Sequence, residues 1–193
     1  MGDENIMTVK EAIEKRRSIR NFKSDTLSKE IVEDILNCGR LAPSAKNRQP
    51  WYFVVVKEKI KDNIADMMTN YTINNDENIE RKRIGHVSSV NPTANVIKQA
   101  PILVLVFRKK NDNWLIGDNL SIGACIENMC LRATELGIGS LWIRDIVYVS
   151  EEVAKIVGHN DLELNCAISL GIANQSPRQR ARKELNDIVE WIN

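Results

Sequence analysis

The run Pro101-Ile102-Leu103-Val104-Leu105-Val106-Phe107 is unbroken apolar sequence, rich in branched and aromatic side chains. It is far too short to span a membrane, so it predicts a strand at the centre of a sheet. A second demand comes from Asp118 to Leu136. Here Asp118 reads as the cap of a long helix in which Ile122, Cys125, Ile126, Met129, Leu131 and Ala133 leave almost no polar face. A helix apolar on nearly all sides has to be buried against something.

The remaining segments supply the cover. Thr8-Val9-Lys10-Glu11 is a capping box, opening a helix that turns Val9, Ala12 and Ile13 inward and ends near Arg16. Ser28 opens a second helix with Ile31, Ile35, Leu36 and Leu41 on one apolar face. It stops at Ala42-Pro43, because the residue before a proline disfavours helix. Residues 51–56, 139–143 and 164–171 read as further strands; residues 59–70, a short stretch from Ser150, and residues 184–192 read as helices. Residues 72–95 are polar and weakly patterned, which predicts either a lid over a site or a surface loop. The sum is one α+β domain over residues 1–193, a mainly antiparallel sheet of about four to five strands in a helix-rich shell.

Charge decides between partners. The 193 residues carry a net charge of +1, too balanced for wrapping a nucleic acid or coating an anionic membrane. The start of the chain lacks the basic and apolar pattern of a secretory signal, so a cytoplasmic protein is expected. Cys38, Cys125, Cys130 and Cys166 contain no C-x-x-C pair and read as buried thiols; His86 and His159 have no ligand spacing, so no metal is expected. Yet arginines gather twice, in Arg16-Arg17-Ser18-Ile19-Arg20 and in Arg178, Arg180, Arg182 with Lys183. Either cluster alone could be solvated helix-end charge. Together they suggest one discrete anion, for which guanidinium forks and the Ser18 hydroxyl are suited donors.

The segment Ala42-Pro43-Ser44-Ala45-Lys46-Asn47-Arg48-Gln49-Pro50-Trp51 is denser in amides and hydroxyls than a turn requires. Together with Arg16-Arg17-Ser18-Ile19-Arg20, Leu136-Gly137-Ile138-Gly139-Ser140-Leu141-Trp142-Ile143 and Arg180-Ala181-Arg182-Lys183, it resembles the flavin-binding pattern of the nitroreductase family. The resemblance implies an obligate homodimer with FMN at the subunit interface, reduced by NADH or NADPH. A small-molecule acceptor such as a nitroaromatic or quinone would then be reduced in ping-pong order. It further implies that Arg16, Arg17, Ser18, Arg20, Arg180 and Arg182 hold the phosphate and ribityl end. Pro43, Ser44, Ala45, Asn47 and Gln49 would line the ring and ribityl, some from the partner. Trp142, Ile143, Arg144 and Asp145 would pass along the ring, with backbone amides near its reactive nitrogen. No catalytic side chain is needed, since the cofactor carries the chemistry.

Two departures stand out. Many relatives carry a glycine just after the Trp-Ile pair, whereas here Arg144-Asp145 follows. The chain is also short for the family, which implies a small cover and broad acceptor use. No G-x-G-x-x-G fingerprint is present, so the donor is open between NADH and NADPH. A flavin-binding sensor or carrier without turnover is the alternative, since it would share the anion site. Trp114 and the apolar helix offer contact surface for a second copy.

Overall fold

The apolar run is strand β2 (Ile102–Lys109), buried over all but its last residue. It pairs antiparallel with β1 (Trp51–Val56) and β4 (Leu162–Gly171), and β4 pairs antiparallel with β3 (Gly139–Ile143). The order β1-β2-β4-β3 leaves β2 and β4 inside the sheet. In register, Val54 faces Leu105, Leu105 faces Ala167, and Trp142 faces Ile168. These relations come from a computed structural model describing residues 7–74 and 90–192, with residues 72–74 described in backbone only.

The run shows no alternation because both faces of the sheet are covered. Leu103, Leu105 and Phe107 pack with α3 (Glu58–Asn74), α4 (Val90–Gln99) and α6 (Ser150–Val157). Ile102, Val104 and Val106 pack with α2 (Lys29–Arg40) and α5 (Leu115–Glu135). Cys125, Cys130 and Cys166 lie buried on this second side, while Cys38 is half-buried; all four are free thiols. Lys61, almost wholly buried, donates to the carbonyls of Ile97 (3.0 Å) and Lys98 (2.8 Å). It thereby satisfies backbone acceptors at the end of α4 that the helix itself cannot.

The capping box at α1 (Val9–Lys15) forms as expected: the Thr8 amide donates to Glu11 Oε2 at 2.8 Å, and the Glu11 amide donates to Thr8 Oγ1 at 3.2 Å. The inward face was expected to be wider than it is. Only Ala12 is buried; Val9 is 72% and Ile13 56% exposed, because α1 meets the body only along a narrow contact with α5. Leu41 is likewise exposed, lying past the last turn of α2 as its C-cap.

Three further expectations change. The polar stretch 72–95 is helical at both ends, up to Asn74 in α3 and from Val90 in α4. Val90, Ala94, Val96 and Ile97 bury one face of α4, and Pro92 sits in its first turn, where no amide is required. The lid reading falls on residues 75–89, which lie outside the described residues. Helix α5 starts at Leu115, so Asp118 is not its cap but a buried residue of its first turn. The helix predicted over residues 184–192 is reduced to one 3-10 turn, Leu185–Asp187. Leu185, Ile188 and Trp191 are exposed there, and a segment so short does not hold helix without a surface to pack on.

Candidate cofactor site

The two arginine clusters meet because the chain after α1 crosses the end of the sheet. The Ile19 amide donates to the Ser140 carbonyl (2.9 Å) at the start of β3, and Lys23 to Ile172 (2.9 Å) just beyond β4. The Asn174 amide returns a bond to the Asn21 carbonyl (2.9 Å). This crossing needs Gly171, because a Cβ there would lie 2.6 Å from Pro101 Cδ and 2.9 Å from Phe22 Cδ1. The segment after α1 and the arm after β4 therefore leave the sheet side by side.

They enclose a cavity of about 520 Å³ whose lining includes Arg16, Arg17, Ser18, Arg20, Arg178, Arg180 and Arg182. Glu14 and Glu127 are the acids in that lining, so guanidinium charge is in clear excess. Arg16 Nε is 3.4 Å from Glu127 Oε1. Arg17 Nη1 donates to the carbonyls of Glu14 (2.6 Å) and Arg16 (2.8 Å), which caps α1 and fixes the guanidinium. Arg182 Nη1 donates to the Arg180 carbonyl at 3.2 Å. Arg178, Arg180 and Arg182 are exposed and form no ion pair among the described residues.

A second cavity, of about 360 Å³, is lined by Arg20, Thr93, Trp142, Ile143, Arg144 and Asp145, among others. Arg20 belongs to both linings, so the two spaces adjoin. Trp142, on edge strand β3, is 45% exposed, and Ile143 is buried. Beyond the strand, Arg144 Nη1 donates to Tyr148 Oη at 3.0 Å, and Thr93 Oγ1 donates to Asp145 Oδ2 at 3.4 Å.

Residues 43–49 lie elsewhere. Pro43 is exposed, the Ala45 amide donates to Ser121 Oγ (3.2 Å), and the Gln49 amide donates to Ser44 Oγ (3.0 Å). Lys46, Asn47 and Gln49 have φ of 52°, 54° and 48°, which costs energy in residues bearing a Cβ. Arg48 holds the loop down: its Nε is 3.1 Å from Asp118 Oδ1, and its guanidinium lies 4.5 Å from the Trp114 ring centroid. Asn47 and Gln49 are left exposed at the surface. None of residues 43–49 lines the arginine cavity. About 14 Å of α5 separates Asp118, beside the loop, from Glu127, beside Arg16.

The structure thus brings Arg16, Arg17, Ser18, Arg20, Arg180 and Arg182 together, and joins them to residues 142–145. Within one chain it leaves Pro43, Ser44, Ala45, Asn47 and Gln49 apart. Sequence reasoning missed Asp118, Ser121 and Trp114 as supports of the loop. Their signal is long-range, and Asp118 resembles an ordinary helix cap when read locally. Buried thiols offer no nucleophile. Burial pushes Cys125 and Cys166 up from 9.0 to about 12 and Cys130 to about 11, so all three stay protonated near neutrality. Among the described residues no group of His, Cys, Asp and Glu is placed to hold a metal, and no helix is long and apolar enough to cross a membrane.

Residues 13–172 match the model of the nitroreductase family. The oxygen-insensitive NADPH nitroreductase of Helicobacter acinonychis (strain Sheeba) is 26% identical over 210 aligned positions, covering 95% of this chain and 96% of that one. A BluB-like flavoprotein from Clostridium difficile 630 superposes with a TM-score of 0.78 at 26% identity, over 97% of this chain and 100% of the other. The FMN and NADPH-dependent nitroreductase NfnB of Sphigopyxis sp. strain HMH shares the fold at a TM-score of 0.82 and 17% identity, with coverage of 97% and 100%.

Proposed function

The chain belongs to the nitroreductase family, and from that premise we propose that it is an FMN-dependent NAD(P)H oxidoreductase. It works as a homodimer of single-domain subunits, with FMN between them. The observation that carries this reading is the convergence of the residue 16–20 segment and the residue 178–182 arm on one cavity, continued through Arg20 to the cavity beside Trp142. The names of NfnB and of the Helicobacter relative support the choice of cofactor and donor.

The residues present suit FMN. Arg17, Arg20, Arg180 and Arg182 with the Ser18 hydroxyl would hold the phosphate and ribityl end, assisted by Arg16 where Glu127 leaves it free. Trp142 and Ile143 would border the ring, and the backbone amides of Arg144 and Asp145 would favour negative charge on it. Fixed dipoles do so without reorganising. Pro43, Ser44, Ala45, Asn47 and Gln49, too far to serve their own subunit's cavity, would serve the partner's. When bound, FMN supplies hydride acceptance from NADH or NADPH and electron delivery to a nitroaromatic, quinone or similar acceptor, in ping-pong order. The protein's part is to bind, orient and exclude water.

The test is the visible absorption spectrum of the purified protein, followed by anaerobic addition of NADH and then NADPH. Rapid bleaching of an oxidised-flavin spectrum is expected, and the faster donor is the preferred one. A protein that binds flavin but bleaches slowly with both donors would be a carrier. A colourless protein that refuses added FMN would sink both readings. Arg17→Ala and Arg180→Ala should each weaken FMN by about 1.5–3 kcal/mol, roughly ten- to hundredfold. Unchanged affinity in both would place the phosphate elsewhere.

A further inference from the structure

Two glutamates line the cavity in which the arginines gather, and only one of them is accounted for elsewhere. The Glu14 carboxylate lies 3.8 Å from Lys10 Nζ in an exposed i, i+4 pair on α1. Glu127, on α5, has its Oε1 3.4 Å from Arg16 Nε and no other side-chain partner among the described residues. Arg16 is the one arginine of that lining paired with a carboxylate there, and its side chain is 25% exposed. Its backbone is placed independently of the pair: the Arg16 amide donates to the Ala12 carbonyl at 2.9 Å, and the Arg16 carbonyl accepts from Arg17 Nη1. Helix α5 is likewise anchored by apolar side chains, Ile122, Ile126 and Met129 among them. A pair with one member 45% exposed adds little to stability, so the fold has small need of Glu127.

What this carboxylate does affect is an anion. It occupies the Nε side of the Arg16 fork, an edge that a phosphate could otherwise use, and it repels negative charge held in the same cavity. Arg16 is half-buried, so water and salt screen these effects less than they would at the open surface. We propose that Glu127 competes with the flavin phosphate for Arg16, and thereby sets how tightly FMN is held and how fast it leaves. This rests on the oxidoreductase reading above and adds that the bound cofactor exchanges with free FMN. Arg17, Arg20, Arg180 and Arg182 supply the grip, and Glu127 offsets part of it. Riboflavin, which has no phosphate, escapes the competition.

The experiment is a fluorescence titration of FMN and of riboflavin into the flavin-stripped full chain, for wild type, Glu127→Gln and Glu127→Ala, with FMN release timed after dilution. Removing the charge should tighten FMN about tenfold and slow its release to match. Riboflavin affinity should stay unchanged, so the ratio of the two affinities rises by the same factor. Alanine, which keeps no hydrogen-bonding group, should act in the same direction as glutamine. Weaker FMN binding in either variant overturns the proposal, since Glu127 would then be holding Arg16 in place for the phosphate. An unchanged ratio overturns it too, as does an equal shift for both flavins, which would trace to the fold. A wild type that binds riboflavin as tightly as FMN removes the phosphate from this cavity and the proposal with it, while the oxidoreductase reading stands. A wild type that binds neither flavin overturns both.

Discussion

Residues 44–49 and the arm of residues 174–192, which carries Arg180 and Arg182, both contribute to the proposed site, yet the chain treats them in opposite ways. The first segment is clamped: three residues have positive φ, the Ala45 amide is tied to Ser121, and Arg48 is paired with Asp118, whose side chain is 1% exposed. The second segment is almost free of the body, with Trp191 86% exposed and one short 3-10 turn. A loop that in the proposed site lines the ring gains from being fixed in advance, because ordering it on binding would cost entropy. An arm that in the proposed site brings only charge needs no such anchoring to the body. The difference teaches that folding of the single chain fixes the loop in place and leaves the arm's apolar side chains exposed.

The largest effect expected from this contrast is on the ligand and not on the fold. Replacing Arg178, Arg180 and Arg182 together by alanine should weaken FMN by about 4 kcal/mol, roughly a thousandfold. The thermal midpoint of the flavin-free protein should stay unchanged, since these side chains touch little but the arm's own backbone. Fluorescence titration with FMN and a melting curve check both halves; a large fall in the midpoint would show that the arm belongs to the folded body. The clamped loop should behave in reverse. Arg48→Ala leaves the Asp118 carboxylate buried without its partner and should cost about 3 kcal/mol of stability. Adding Asp118→Ala should restore part of that loss in urea unfolding, and additivity of the two changes would rule out a working pair.

The packed core belongs to neither segment and sets the reference. Cys125 and Cys166 are pushed up to about 12 by burial, and Cys130 to about 11, against an ordinary 9.0. Between those values the native chain keeps protons that the unfolded chain has lost. Stability is therefore full below pH 9 and falls as pH rises through the window, by up to about 1.4 kcal/mol per pH unit for each thiol. Cys166→Ala should make that decline shallower by one thiol's share, even though it also lowers stability at neutral pH. Urea midpoints from pH 8 to 11 measure the slope. The smallest effect is Lys46→Gly, which relieves a positive φ but frees the unfolded chain. A gain of about 0.5 kcal/mol is expected, and a loss of stability would show that the loop stores no strain at that residue.

The sheet and its two coats were legible in the sequence, because β2 and α5 are apolar beyond what a one-sided element needs. The two arginine clusters were legible in the sequence, and the structure brings them to one cavity. Their meeting depends on the chain after α1 crossing the end of β4, with Gly171 giving the clearance, and no local pattern encodes that. The start of α5 was misjudged because an aspartate near a helix start carries a strong local meaning. Its pairing with Arg48, seventy residues away, carries none. The closing helix failed for the opposite reason. Leu185, Ile188 and Trp191 have apolar character but no surface among the described residues to receive them.

Helix α5 touches the loop near its start and the arginine segment about 14 Å further along, so its length acts as a ruler. If the partner supplies the loop, a variant defective only in residues 44–49 and a variant defective only in the arm are each inactive alone. Co-expressed, they would pair into molecules holding one wholly intact site and one doubly damaged site. Two silent alleles would then restore each other, and the colour of the mixture would report which subunit lends which half.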